Sequence, residues 1–431
     1  MDRKLGFWSI FALVTGSQIG SGVFMLPASI APFGLLGLAG WIISGIGAVG
    51  LALVFGKLCS WLPKTGGPHV YANAAFGSYA AFFVGWTYWV ISWVSTPIVV
   101  VATIGYLMPL LGVYTPTQTL FLEIGLVFLI TLLNLRGVSA AGHAEVFLTF
   151  LKIIPLVIMP CAAFFLFKKG NFLTPQVASY GELSHALSAV TLLTLWAFIG
   201  LESATTPAGA VKNPSKTIPR AIVLGTSCVA LLYFLNSLGI LGLLPGGQLI
   251  NSAAPYTDAA QEIFGGNWHL VISLIAAVVC VGTLNAWILA SSQISLGLSE
   301  DGFLPSFFSK KNKNGAPFYS LFISLIGIIV ILILTAQENF AEQIKMMIDF
   351  SVASFLFVYI VCCLAFLKLM NRYQKRSSYL SYGYGFGALL FCCWVLYETP
   401  LQTLLIAFIF TLTGIPLFVK RFKILRNLKS V

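Results

Sequence analysis

The sequence predicts an all-α polytopic membrane protein with about twelve transmembrane helices. Of its 431 residues, 58% are hydrophobic and only 9% are charged, which is too few charged side chains to cover a water-soluble globule. Apolar segments of about 20 residues, long enough to cross a bilayer, recur along the whole chain. We assign twelve spans, at residues 5–32, 35–61, 79–108, 118–135, 146–167, 184–206, 221–243, 267–296, 317–336, 342–367, 379–397 and 401–419.

The basic residues predict the topology. The net charge is +11, and with both termini in the cytoplasm 20 of the 24 Lys and Arg fall on the inner side, as is typical of cytoplasmic loops. This asymmetry explains the basic composition without a nucleic-acid partner. We therefore expect an integral membrane protein in contact with the lipid bilayer and with both termini cytoplasmic, and we assign it to a bacterial inner membrane. Short loops predict a single transmembrane domain over residues 1–431, and the first span is interpreted as retained and not as a signal peptide.

A Gly-rich interruption lies in the middle of the first predicted span. Residues 15–27 (TGSQIGSGVFMLP) contain Gly16, Gly20 and Gly22 at mid-membrane depth. Lipid cannot satisfy freed backbone groups, so a break here must be buried in protein or line a cavity. Two half-helices would offer N–H groups to an anion and carbonyl groups to a cation, which suits a zwitterion such as an amino acid. The alternative is a kinked helix whose small residues serve close packing.

A second interruption lies in the sixth span, at residues 195–207 (LWAFIGLESATTP). Gly200 weakens the helix there, and Glu202 lies among apolar neighbours. A carboxylate inside a membrane is a functional-site hypothesis by default, and we interpret Glu202 as a candidate proton carrier. The alternative is a structural carboxylate held by the hydroxyl groups of Ser203 and Thr205.

The spacing of the two interruptions predicts an internal repeat. The interrupted spans start five spans apart, which fits two five-helix repeats of opposite orientation with a central site between the broken helices. The first repeat would occupy residues 1–168 and the second residues 184–370. Two accessory helices and a basic cytoplasmic tail would follow at residues 379–431. This prediction rests on the positions of the breaks, because the two halves have no clear residue-level similarity.

Lys152 alone among the basic residues lies more than four residues inside a predicted span. With the fifth span beginning near residue 146, it lies about 9 Å from the inner end. Its side chain either snorkels to the cytoplasmic interface or is a buried ammonium that takes the place of a cation or carries a proton.

Further polar and aromatic positions within spans each have two interpretations. Ser92, Ser95 and Thr96 share one face of the third span, either as cavity lining or as helix-packing contacts. Trp287 is too deep for an interfacial belt, so it is either core or a cavity wall that stacks on a bound side chain. Asp349 is either interfacial or a cavity acid.

The sequence does not indicate an enzyme, a metal site or a cofactor. The eight cysteines and four histidines lack the spacing of metal ligands, and no Ser/His constellation lies at matching depth in the spans. An ion channel is a distant alternative, since it would require rings of charge or carbonyl groups around a pore. One intramembrane acid and one lysine do not form such rings.

The chain resembles the amino acid–polyamine–organocation superfamily, most closely its basic amino acid/polyamine antiporters of the arginine/agmatine type. The resemblance covers essentially the whole chain. Its most specific segments are GSGVFMLP at 20–27, LWAFIGLESA at 195–204 with VKNPSKTIPRA at 211–221, and SEDGFLP at 299–305. It implies a LeuT-like fold and secondary active transport of an amino acid or polyamine by alternating access, and it allows a homodimer.

The resemblance also implies a substrate site at the two breaks. The backbone amides of Ser21 and Gly22 would bind the substrate carboxylate. The carbonyl groups of Gln18, Trp196 and Ile199 would bind its α-ammonium group.

Side chains around that site would select and gate the substrate. Trp196 would be a middle gate over the substrate and Trp287 would stack on its side chain. Tyr88 and Glu202 would form a gate on the inner side, with Glu202 sensitive to protons. Thr96 departs from the arginine antiporter, which has an asparagine there that helps to hold the guanidinium group, so arginine specificity is in doubt.

Lys152 is a second departure. It lies in GHAEVFLTFLK, which resembles the proton-coupled amino acid permeases of the same superfamily, where a lysine occupies the place of a sodium ion. Exchange of basic amino acids or their amines is the leading prediction. A proton-coupled permease of broader specificity is the alternative.

Overall fold

A computed structural model of the chain describes residues 4–112, 115–173, 180–252, 255–336, 340–373 and 379–420, without the side chains at 109, 269 and 340–349. These residues form α-helices joined by short turns, with two isolated β-bridges. The helices are Phe7–Gln18, Ser21–Ile30, Leu35–Trp61, Pro68–Phe76, Ser78–Val94, Thr96–Leu111, Pro116–Leu135, Val138–Phe165, Tyr180–Trp196, Pro214–Leu243, Gly246–Leu249, Pro255–Phe264, Trp268–Glu300, Phe318–Thr335, Phe340–Tyr373, Tyr379–Glu398 and Leu401–Leu412.

Twelve segments within the described residues are long and apolar enough to cross a membrane. Each coincides with one predicted span, so the all-α class with twelve spans is confirmed, whereas the inverted relation of the two repeats stays a prediction. In order they are Phe7–Phe33, Leu35–Trp61, Ser78–Met108, Pro116–Leu135, Val138–Phe165, Tyr180–Thr205, Pro214–Leu243, Leu270–Glu300, Phe318–Thr335, Phe350–Tyr373, Tyr379–Glu398 and Leu401–Lys420.

Two spans differ from their predicted form. The fifth begins at Val138, eight residues before the predicted start at 146, because Gly142, His143 and Glu145 continue the helix instead of preceding it. The third is interrupted at Ser95, between helices Ser78–Val94 and Thr96–Leu111. Pro97, which has no backbone N–H to continue a helix, follows this interruption directly.

The first span lies at the centre of the bundle. In an apolar stretch of 18 residues within this span, 89% of the residues are buried, whereas in the corresponding stretch of the twelfth span 17% are buried. Its first half packs against the fifth, seventh and eighth spans. The eleventh and twelfth spans pack mainly on the second, third and tenth. The break in the first span therefore lies within the most buried of the twelve segments.

Candidate functional site

The first span is broken at Ile19 and Gly20. Its first helix ends at Gln18 and the next begins at Ser21, with Ile19 at ψ 95° and Gly20 at φ −132°, ψ −151°. The last carbonyl groups of one helix and the first N–H groups of the other have no partner within their own helix. The predicted discontinuity is therefore present, and it brings groups of both polarities to one point.

The sixth span is broken immediately after Trp196. Residues 197–206 continue as tight turns in which seven N–H groups bond to the carbonyl three residues earlier, for example Ile199 to Trp196 at 3.2 Å. Gly200 has φ +108°, and a Cβ there would lie 3.0 Å from the Ser17 side chain. Both its conformation and its surroundings therefore require glycine.

The two breaks contact each other. The Ser17 hydroxyl lies 2.8 Å from the Gly200 carbonyl oxygen, to which it donates, and 2.8 Å from the Ser203 hydroxyl. From the seventh span, Tyr233 donates its hydroxyl hydrogen toward the Gln18 carbonyl at 2.7 Å and the Ala197 carbonyl at 3.3 Å. Since Gln18 and Ala197 belong to different breaks, one phenol connects them.

A small cavity of about 50 Å³ lies between the breaks. The structure brings together around it all seven residues that the sequence predicts for substrate binding, namely Gln18, Ser21, Gly22, Thr96, Trp196, Ile199 and Trp287. Ser17, Gly20, Ser95, Thr283, Ser351 and Phe355 complete much of the wall. No ionisable side chain among the described residues lines it.

Hydroxyl groups of the third span present acceptors at this cavity. Ser95 donates its hydroxyl hydrogen to the Ile91 carbonyl at 2.7 Å, and Thr96 donates to the Ser92 carbonyl at 2.8 Å. Their oxygens are left as acceptors toward the cavity they line. The Gln18 side-chain oxygen also lacks a hydrogen-bond partner among the described residues. These groups suit a ligand that brings its own donors, such as an ammonium group.

Aromatic rings close the cavity. A Cβ on Gly22 would lie 2.8 Å from the Trp196 ring, so glycine is what lets this ring lie against the start of the second half-helix. Trp287 is 7% exposed, and its ring centroid is 5.5 Å from that of Phe355. Trp196 and Trp287 therefore lie where a bound side chain would meet an aromatic face, which attracts cations.

Glu202 lies outside the cavity wall and is fully buried. Tyr359 donates its hydroxyl hydrogen to Glu202 Oε2 at 2.5 Å. Tyr88 is close enough to interact electrostatically with the carboxylate, but neither its hydroxyl nor Glu202 Oε1 has a hydrogen-bond partner among the described residues. Thr205 donates to the backbone carbonyl of Glu202, and the Ser203 hydroxyl contacts Ser17. The alternative in which these two hydroxyls hold the carboxylate is wrong.

A series of rings lies between the cavity and Glu202. Phe355 lies 5.5 Å from Trp287, 6.0 Å from Tyr88 and 6.1 Å from Tyr359, between ring centroids. Sequence reasoning missed both Phe355 and Tyr359. They lie four residues apart on the tenth span and thus on one helical face, but nothing in the local sequence distinguishes them from packing residues.

Lys152 is completely buried. Its Nζ donates to the Gly16 carbonyl at 2.8 Å and to Thr283 Oγ1 at 3.2 Å, and it lies 3.6 Å from Glu145 Oε1. The snorkelling alternative is therefore wrong, because the span begins earlier than predicted and places Lys152 about 21 Å along it at 1.5 Å per residue. The side chain of Asp349 lies outside the described residues.

A model of the amino acid permease family matches residues 5–423. The chain belongs to this family. That assignment confirms the predicted superfamily.

Curated relatives of this permease-family chain are transporters. The chain is 26% identical over 421 residues to the putrescine transporter PotE of Escherichia coli K12, which covers 97% of this chain and 96% of that protein. It is 30% identical over 344 residues to the cadaverine/lysine antiporter of the same strain, covering 79% of this chain and 76% of that protein.

Proposed function

We propose that this protein is a secondary active transporter that exchanges basic amino acids, their amines or both by alternating access. The observation that carries the proposal is the cavity at the paired breaks, lined by all seven predicted binding residues. The names of the relatives, a putrescine transporter and a cadaverine/lysine antiporter, support the substrate class.

The two ends of such a substrate fit different parts of the cavity. The N-terminus of the second half-helix, at Ser21 and Gly22, attracts the carboxylate. Carbonyl groups of Gln18, Trp196 and Ile199 accept from the α-ammonium group. The Gln18 carbonyl retains a lone pair for this, since Tyr233 occupies only one of the two.

The distal ammonium group would be held by hydroxyl acceptors and an aromatic face. Ser95 and Thr96 offer oxygens whose hydrogens are already used, and Trp287 offers its ring. A lysine-type ammonium has three donors of adaptable direction, whereas a guanidinium group needs a planar fork of acceptors. This geometry favours ammonium-ended substrates over arginine.

Glu202 would couple exchange to protons. Its carboxylate is bonded on one oxygen and unpartnered on the other among the described residues. The Tyr88 hydroxyl, which also lacks a partner among the described residues, can donate to an ionised Oε1 or accept from a protonated one. Protonation would therefore reverse the donor and acceptor between the sixth span and the third, on the predicted inner side of the cavity.

A proton-coupled permease of broader specificity is the second candidate. The specific observation in its favour is Lys152, a buried ammonium that donates to Gly16 beside the first break. Gain or loss of a proton by Lys152 would change its hydrogen bond to the Gly16 carbonyl, and hence the backbone beside the substrate site.

The exchanger and the permease are distinguished by measuring uptake into proteoliposomes. The radiolabelled compounds are lysine, ornithine, arginine, cadaverine and putrescine. Exchange requires that uptake depend on internal substrate, and ammonium-ended compounds should compete better than arginine. Uptake into empty vesicles driven by an inward proton gradient would instead establish the permease. Movement of none of these compounds under either gradient would exclude both, and a single-channel current would indicate a channel.

The proposal also includes the membrane, the orientation and the oligomeric state of the transporter. The distribution of Lys and Arg supports insertion in a bacterial inner membrane with both termini cytoplasmic. Labelling of a cysteine introduced at either terminus, in intact cells against inverted vesicles, tests that orientation in a variant with the exposed Cys161, Cys228 and Cys393 replaced. The homodimer allowed by the resemblance is tested by cross-linking in the membrane.

A further inference from the structure

Glu145 is a second fully buried acid, and neither the predicted site nor the proposed transport cycle uses it. It lies seven residues before Lys152 on the same helix, with the Lys152 ammonium 3.6 Å from its Oε1. Asn285 of the eighth span donates to its other oxygen, Oε2, at 2.6 Å. The Thr149 hydroxyl lies 3.4 Å from Oε1 and 3.2 Å from the Ala12 carbonyl oxygen, and its one hydrogen can go to either. Oε2 is therefore hydrogen-bonded, Oε1 faces an ammonium and a hydroxyl group, and the charge has a counter-charge.

The surrounding backbone is shaped to admit this pair. A Cβ on Gly16 would overlap Glu145 Oε1, and a Cβ on Gly282 would overlap the Lys152 side chain, 2.8 Å from Nζ. Gly16 belongs to the first half-helix and Gly282 to the eighth span. Two glycines from two different spans thus make the space that the two charged side chains fill.

The pair connects to the break through short hydrogen bonds. Lys152 donates to the Gly16 carbonyl and to Thr283, and Thr283 donates in turn to the Ile19 carbonyl at 2.5 Å. Thr283 also lines the cavity. On the far side, Asn134 of the fourth span donates to the Asn285 side-chain oxygen at 3.1 Å. The first half-helix is held to the fifth and eighth spans through this network.

We propose that Glu145 is the resident counter-ion of Lys152, which stays paired with the ammonium group throughout the transport cycle and positions it for its bond to the broken first helix. The proposal rests on the proposed function in one respect, namely that the first half-helix moves during transport. Both charges lie on the fifth span, so Lys152 can release the Gly16 carbonyl without becoming an unpaired buried charge. An ammonium whose only counter-charge lay on the moving helix would lose it at each turnover, and an uncompensated buried charge is strongly unfavourable.

Glu145 is thus a positioning residue, and its effect should be on turnover and not on substrate binding. The test compares E145Q, K152M and the double variant E145Q/K152M in the full-length protein. Each single change leaves one buried charge without a partner, whereas the double change leaves none. E123Q, which alters another buried acid, in the fourth span and outside this network, is the matched control.

Two measurements are made on each variant. In proteoliposomes we expect both single variants to lose at least about tenfold in Vmax, with KM within about threefold of the parent, and the double variant to recover most of the Vmax. In thermal unfolding of the purified protein, the singles should lower Tm and the double should lie closer to the parent. E123Q should not reproduce these losses in either Vmax or Tm.

The outcomes separate this proposal from the proposed function. Additive effects of the two single changes in the unfolding series, or a change confined to KM in E145Q, would overturn the role of Glu145 while leaving exchange in place. If the parent protein exchanges no basic substrate but the unfolding series shows coupling, the proposed function fails and the ion pair stands. Unaltered turnover in E145Q would overturn the positioning role.

Discussion

Glu145 and Glu202 are both completely buried within membrane spans, yet their surroundings differ in kind. Glu145 has a cation 3.6 Å from Oε1 and an amide donor, Asn285, at Oε2. Glu202 has one donor, Tyr359, and an oxygen with no partner among the described residues. The first acid is balanced and holds helices in place. The second is half satisfied, which is the condition in which a proton can be accepted and can make a new bond.

The largest predicted effect comes from disrupting the ion pair between Glu145 and Lys152. Gly16→Ala places a methyl group on Glu145 Oε1 and should displace the carboxylate from Lys152. We expect the free energy of unfolding to fall by about 3–5 kcal/mol, the scale for breaking a buried ion pair, as measured by thermal unfolding in detergent. Gly105→Ala is the control, since a Cβ there meets open space and should change stability by no more than about 1 kcal/mol.

Removal of the Tyr359 donor to Glu202 should have a smaller effect. Tyr359→Phe eliminates the 2.5 Å hydrogen bond, and a hydrogen bond to a charged group is worth about 1.5–3 kcal/mol. The same change at the exposed Tyr382, which donates to Asn371, should stay within about 0.5 kcal/mol. Thermal unfolding measures the loss of free energy of unfolding in both variants. Equal losses would mean that the buried hydrogen bond contributes no more to stability than the exposed one.

Glu202→Gln should change pH dependence more than stability. Glutamine keeps an acceptor for Tyr359 and should cost about 1 kcal/mol or less, but it cannot gain or lose a proton. Exchange by the variant should therefore be nearly independent of pH between 5 and 8, where the parent varies. A variant that retains the parental pH profile would assign proton sensitivity to another group.

The smallest predicted effect lies outside the spans, at Asp301. Its burial raises the pKa, but hydrogen bonds with His69 and Lys64 outweigh this and leave the pKa below its ordinary value of 3.8. Since the folded-state pKa is lowered, the carboxylate contributes stability above pH 3.8 and loses it as pH falls through the folded pKa.

Asp301→Asn should lower stability by about 1 kcal/mol or less at pH 7, because Lys64 is exposed and screened. The difference from the parent should shrink toward pH 3, as measured by thermal unfolding at both pH values. Glu300→Gln is the control, since its pair with Lys311 is exposed at both ends. A loss that does not depend on pH would assign the effect to packing.

The sequence was sufficient to find what depends on local composition. Glycines at mid-membrane depth marked the first break, and the segment around Gly200 marked the second. Glu145 was missed because the predicted fifth span begins one residue after it, although an acid seven residues before Lys152 shares its helical face. The interruption at Ser95 was also missed, with Pro97 as the available signal. Tyr359 had no signal, since its role depends on a partner 157 positions away.

Tyr233 has a consequence for communication between the two breaks. Its phenol carries one hydrogen but faces two carbonyl acceptors, of Gln18 at 2.7 Å and of Ala197 at 3.3 Å. A ligand ammonium group that donates to the second lone pair of the Gln18 carbonyl weakens this oxygen as an acceptor for Tyr233 and favours donation to Ala197, so a ligand bound at one broken helix affects the other without any change in charge. A two-acceptor, one-donor arrangement of this kind is a toggle, and its resting position is toward Gln18.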